Sequence, residues 1–176
     1  MARVVLRPPA AGDRDEFIAS MRASRDLHRP WIYMPETPEH YAAYLSRIED
    51  PRAAPFLACR TEDGAIVGFL NISEIVRGGF KSAFVGYGGV AGFAGQGYMT
   101  EAMRLLLREA FTALGLHRLE ANIQPGNRAS IALAQRCGFE LEGFSPRYLK
   151  VGGRWRDHER WAIREEVWRG RTSTAF

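Results

Sequence analysis

The chain has 176 residues, 46% of them apolar and 25% charged, with a formal net charge of +4 and a pI near 9.4. Such a chain suits one globular domain with a core of its own; it excludes a disordered or fibrous class, and no run approaches the roughly 18 apolar residues of a membrane span. The charge favours an anionic partner such as a phosphorylated cofactor, yet no five-residue basic run or basic-aromatic interleaving marks a nucleic-acid surface, so no direct nucleic-acid or membrane partner is expected.

The predicted elements begin with a short strand, VVLRP. DRDEFIASMRASRDLH reads as a helix with Phe17, Ile18 and Met21 inward, and RPWIYMPE as a proline-broken loop. A second helix starts at Thr37-Pro38-Glu39: an N-cap, a proline at the first helical position, then an acid at the positive end. Its apolar face is Tyr41, Tyr44, Leu45 and Ile48, at helical spacing. The period then changes. APFLACRT, AIVGFLNISEI and KSAFVGYGGV read as three strands of an antiparallel meander. After the glycine-rich GFAGQGYMTEA, a helix runs to Leu114 and stops at Gly115. HRLEANIQ is a strand, PGNRASIALAQRCG a turn and a helix, and FELEGFSPRYLKV with RWRDHERWAI a hairpin closing on Gly152-Gly153. The expected architecture is a single α/β domain of mixed α+β type over residues 1–176. It has a mostly antiparallel sheet, helices on both faces, and a peripheral tail after about residue 165.

Cys59 and Cys137 lie too far apart in sequence for a metal or redox motif, and the four histidines are scattered. No metal, reduced thiols and a cytoplasmic location are expected. The N-terminal MARVVLRPPAAGDRDEF has no long apolar stretch to read as a secretory signal.

Three glycines within residues 92–97, between a strand and a helix, pose the functional question. The first turn of a helix has amides without internal partners and the positive end of the dipole, so it binds phosphate readily. The plain alternative is a tight turn holding nothing. A triphosphate loop would need Gly-Lys-Ser/Thr, where this chain has Gly97-Tyr98-Met99. The Gly92, Gly95, Gly97 spacing is not that of a dinucleotide fingerprint, although Glu120 stands about twenty residues on.

GYGGVAGFAGQGYMTEA, HRLEANIQPGNRAS, CGFELEG and RWRDH together, in this order, resemble the GNAT acetyltransferase superfamily. Within it the chain closely resembles the Rim-type ribosomal-protein N-terminal acetyltransferases. The resemblance runs from about Gly64 to Ile163 and is loose before that. It implies a sheet that splays after its fourth strand, with acetyl-CoA as cosubstrate. It implies that Gly89 and Val90 pair with the pantetheine arm; the Gly88-Gly89 pair either makes room for that arm or forms a bulge. Gly95, Gln96, Gly97, Tyr98, Met99 and Thr100 would cradle the pyrophosphate, and Asn127 would hold the arm, cap the next helix, or both. Ser130 matches a serine that protonates the departing thiolate; the plain alternative is a helix-interior serine that simply faces the cofactor. Ala94 and Met99 depart from the family's usual residues. A tyrosine acid common in the superfamily is replaced by Ala134, which leaves the acid to be found elsewhere.

An α-amine has a pKa of about 7.7–8.0 against about 10.4 for lysine, so a modest base suffices for it. Glu120 is the first candidate base, with an ion pair to Arg118 as its plain alternative, and Glu74 the second, with a hairpin cap as its alternative. Trp31, Glu74 and Tyr148 are the expected substrate contacts, from the RPWIYMPETPEH segment, a hairpin and the last hairpin. Trp155, Asp157 and His158 lie near the same cleft, with a structural role weighed above substrate contact for the Arg156-Asp157-His158 run. The expected reaction is acetyl transfer by direct attack in a ternary complex, to the N-terminal α-amine of a ribosomal or other protein. The alternatives are a small amine such as an antibiotic or polyamine, or a non-catalytic CoA sensor. A monomer or homodimer is expected.

Overall fold

The computed structural model describes residues 2–173. Seven strands form one sheet in the order β1-β2-β3-β4-β5-β7-β6. They are β1 (Val4–Arg7), β2 (Ala54–Arg60), β3 (Ile66–Val76), β4 (Ser82–Gly89), β5 (Arg118–Ile123), β6 (Glu140–Val151) and β7 (Arg154–Arg164). Every neighbouring pair is antiparallel except β4 and β5, which run parallel. That pair is joined only at Ser82–Arg118, Ala83–Leu119 and Phe84–Glu120. Beyond Phe84 the strands part, and the expected splay lies here. The pairing of β3 with β4 runs unbroken through Gly88 and Gly89, so the alternative of a bulge there is set aside. The glycines answer to crowding instead: a Cβ at Gly88 would meet the Phe69 ring at 2.6 Å.

Helices cover both faces. On one lie α1 (Arg14–Ala23), the single turn α2 (Arg25–His28) and α3 (Pro38–Leu45). Phe17, Tyr41 and Tyr44 pack there against Leu57 and Phe69, with the Phe17 and Tyr44 rings stacked at 5.2 Å. On the other lie α4 (Tyr98–Thr112) and α5 (Arg128–Cys137), burying Met103, Leu106, Leu107, Ile131 and Ala134 against Leu70, Val85, Leu119 and Ala121. Alternation along β5 explains the division: Leu119, Ala121 and Ile123 are buried in that core, while Arg118, Glu120 and Asn122 take the opposite face.

Two local expectations are corrected, and the tail gains a helix. The first predicted helix breaks at Ser24, which is fully buried and whose Oγ accepts from the Ala91 amide at 2.9 Å. The second ends at Leu45 and tightens into a 3-10 turn, which leaves Ile48 exposed rather than inward. The tail folds as α6 (Glu165–Ser173), with Trp168 against Phe111 at 5.5 Å.

Candidate active site

The glycine-rich stretch wraps the N-terminus of α4. Gly97 is its N-cap at φ +85°, a left-handed conformation open to glycine at little cost. The amides of Thr100 and Glu101 both return to the Gly97 carbonyl, at 3.1 and 3.2 Å. The amides ahead of them, of Tyr98 and Met99, fall among the helix's first donors, which have no acceptor within the helix. Arg3 braces the loop: Nε donates to Glu101 at 2.6 Å and Nη1 to the Gln96 carbonyl at 3.2 Å. Arg3 thereby forms an ion pair with Glu101. Arg136 Nη1 donates to Thr100 Oγ1 at 3.0 Å and ties α5 to the first turn of α4.

A cleft of about 680 Å³ opens from this nest. Gly88 and Gly89 line its floor, Arg3, Arg104 and Arg136 supply positive charge, and Asn127 and Ser130 line it from α5. It suits an extended anionic ligand whose charge gathers at one end. A smaller cavity of about 70 Å³ adjoins it where β4 and β5 part; Trp31, Tyr87, Asn127 and Ser130 line both. Asn122, Gln124 and His158 complete this inner passage, and no carboxylate lines it.

Polar order at the junction is specific. Ser130 Oγ donates to the Tyr87 hydroxyl at 2.9 Å, and that hydroxyl donates to the Ser130 carbonyl at 3.1 Å. Burial pushes the Tyr87 phenol up to about 12, so it stays protonated. Asn127 caps α5 by accepting from the Ser130 amide. His28 Nε2 donates to the Gly89 carbonyl at 2.8 Å, and burial holds its imidazole below the usual value.

Trp31, Gly89, Gly95, Gly97, Tyr98, Met99, Thr100, Asn127 and Ser130 are all brought to the cleft. Five expected residues are not. Val90 is buried in the α1–α3 core and its amide is spent on the Val67 carbonyl, 2.9 Å away. Gln96 does not line the cleft and turns its amide group onto the Gly92 carbonyl. Glu74 is exposed near the end of β3, where its register with β4 is irregular, beside Arg52 at 3.9 Å. Glu120 sits where β4 and β5 are still paired, outside both cavities, and accepts from Arg118 Nε at 2.7 Å. Its carboxylate is committed to a cation that also holds Glu142, so the ion-pair alternative is the one observed. Tyr148 reaches the site indirectly, its ring 6.2 Å from that of His158.

Sequence reasoning missed His28, Tyr87, Asn122 and Arg136. Only Tyr87, in the glycine-flanked GYGG segment, carried a signal: an aromatic hydroxyl on the strand that enters the site. Among the described residues no group of three His, Cys, Asp or Glu side chains is placed to hold a metal ion. No described helix is long and apolar enough to cross a membrane.

Residues 3–140 match the acetyltransferase (GNAT) domain family. A probable N-acetyltransferase of Bacillus subtilis is 30% identical over 169 residues, 91% of this chain and 93% of that one. The ribosomal protein uS5-alanine N-acetyltransferase of Escherichia coli is 36% identical over 107 residues, 61% of this chain and 55% of that one. Among solved structures, RimJ of Mycobacterium smegmatis in complex with CoA-disulfide superposes with a TM-score of 0.87 at 32% identity, covering 98% of this chain and 88% of that one.

Proposed function

The chain belongs to the GNAT family of acetyltransferases and is an N-acetyltransferase; from that premise we propose that it acetylates the N-terminal α-amine of a protein, by direct attack in a ternary complex. The observation that carries the choice of acceptor is the inner passage, neutral and narrow, with no carboxylate to receive a polycation. Similarity to ribosomal-protein alanine acetyltransferases points to a ribosomal protein as acceptor. The proposed setting is the cytoplasm, where Cys59 and Cys137, both buried and unpaired, stay reduced.

The residues present fit acetyl-CoA. A Cβ at Gly97 would point at Arg3 Nη2, 3.3 Å away, within the nest itself, and three arginines face the cleft. The amides of Tyr98 and Met99 hold the diphosphate, with Arg104 and Arg136 adding charge. Asn127 and the Gly88-Gly89 edge hold the pantetheine arm. The bound cosubstrate supplies an activated acetyl thioester. Ser130, held by Tyr87, is the donor that returns a proton to the leaving sulfur.

Release of free thiol from acetyl-CoA tests this reading, with peptides beginning in alanine or serine beside spermidine and small amines. Turnover with the peptides and little with polyamines is expected. Faster turnover of a polyamine would overturn the choice of acceptor. Tight CoA binding with no turnover of any amine would favour a sensor.

A further inference from the structure

His158 stands on β7 at the inner passage and is 3% exposed. Its Nδ1 lies 2.9 Å from the Arg156 carbonyl. A carbonyl only accepts, so Nδ1 carries the hydrogen and the neutral ring leaves a lone pair on Nε2. Among the described residues no partner engages that nitrogen. Beside it in the passage, Asn122 Oδ1 is buried with no hydrogen-bond partner. Among the described residues the other buried side-chain atom without a partner is Arg156 Nε, and an orphaned buried acceptor at a cavity calls for an explanation. The two residues that carry these unfilled acceptors thus line one small cavity, which adjoins the larger cleft.

Resting on the acetyl-transfer reading, we infer that Asn122 and His158 form the amine-receiving site: Asn122 Oδ1 accepts one N–H of the incoming amine, and His158 Nε2 removes the proton as the amine attacks. The step balances. Nitrogen uses its lone pair to form the bond to the acetyl carbon and loses N–H, whose proton passes to Nε2 and then to solvent. The C–S bond breaks with its pair on sulfur, which is protonated by Ser130, itself reprotonated from solvent. No oxidant or further reactant is needed. The residue geometry excludes Glu120 from this task, since its carboxylate lies outside the passage and on Arg118.

The groups around His158 agree with a neutral ring. Tyr148 faces it from β6, and Arg156 and Asp157 adjoin it on its own strand. β5 and the Trp31 segment contribute no charge to the passage lining. Burial holds the imidazole below its usual value, against smaller upward pulls from the Arg156 carbonyl and Asp157. The base is therefore unprotonated at neutral pH.

His158→Asn is the test, because the asparagine amide replaces the Nδ1 donor to the Arg156 carbonyl but supplies no base. The expected result is unchanged CoA affinity and melting temperature, a kcat lower by about 10²-fold, and loss of the acid limb from the pH profile of kcat. Asn122→Ala should raise KM for the amine more than it lowers kcat. Nitrogen NMR of the histidine ring should show a protonated Nδ1 and a bare Nε2 at pH 7. A His158→Asn enzyme with near wild-type kcat, or one that keeps the acid limb, overturns the inference. A wild-type protein inactive on every amine overturns the acetyl-transfer reading itself, which separates the two failures.

Discussion

The hydroxyl of Ser130 on α5 donates to the phenol of Tyr87 on β4, and the phenol donates back to the Ser130 carbonyl. Two hydroxyls therefore act as one unit at the mouth of the passage, one helical turn before Ala134, where the superfamily's usual tyrosine is missing. Ser130→Ala should lower kcat by about 10²-fold with little change in KM for acetyl-CoA. Tyr87→Phe should lower kcat by less. The double variant should fall no further than Ser130→Ala, because contacting residues are non-additive. Additive losses in a steady-state double-mutant cycle would separate the two.

Gly97 at φ +85° sets the direction of the phosphate nest. Gly97→Val forces a branched residue into the left-handed region, at about 1–2 kcal/mol, and pushes Arg3 off the loop. CoA affinity measured by calorimetry should fall by at least about tenfold. Gly97→Asn, which tolerates that region better, should lose less.

Met99 is legible only together with Gly68. A Cβ at Gly68 would come within 2.3 Å of Met99 Sδ and 2.8 Å of the Gly88 carbonyl. The thioether occupies space that this glycine vacates, so the unusual methionine is accommodated without distorting the loop. Gly68→Ala should destabilise the protein by about 1–3 kcal/mol, read as a lower denaturant midpoint. Adding Met99→Ala should restore part of the loss but not all, since the backbone carbonyl stays in place.

Asp13 accepts from both Arg7 nitrogens, at 2.6 and 2.7 Å, and from the Ala10 amide at 2.7 Å. The Arg7 bonds hold its carboxyl below the usual range. A depressed carboxylate pKa contributes stability above the unfolded value near about 3.9, and loses it as pH falls through the folded value. Asp13→Asn should therefore cost about 1–3 kcal/mol at pH 7, and the gap to wild type should close in urea titrations below about pH 4.

Glu120→Gln should leave kcat unchanged while weakening the closed end of the sheet, because Arg118 Nε then faces a neutral amide. A large loss of kcat with the fold intact would return this carboxylate to the chemistry.

The strand and helix order was legible because periodicity is local: Tyr41, Tyr44 and Leu45 of α3, the glycine stops and the Thr37-Pro38 start can be read in one window. The phosphate nest was legible for the same reason, its three glycines lying within six residues. The acid-base groups were not. Tyr87, Asn122, Ser130 and His158 come from three strands and a helix, and only the parting of β4 from β5 brings them together. Glu120 carried the right chemistry at the wrong register: it lies two residues before Asn122 on the same face, on the paired side of the fork. The break at Ser24 had no signal, because its reason is an amide 67 positions away.

That break has a mechanical consequence. Ser24 and His28, one turn apart, grip the backbone at Ala91 and Gly89, and Trp31 follows three residues after His28. Trp31 lines both the cleft and the inner passage, so the segment fastened to the Gly89 edge also walls the space where the two cavities meet.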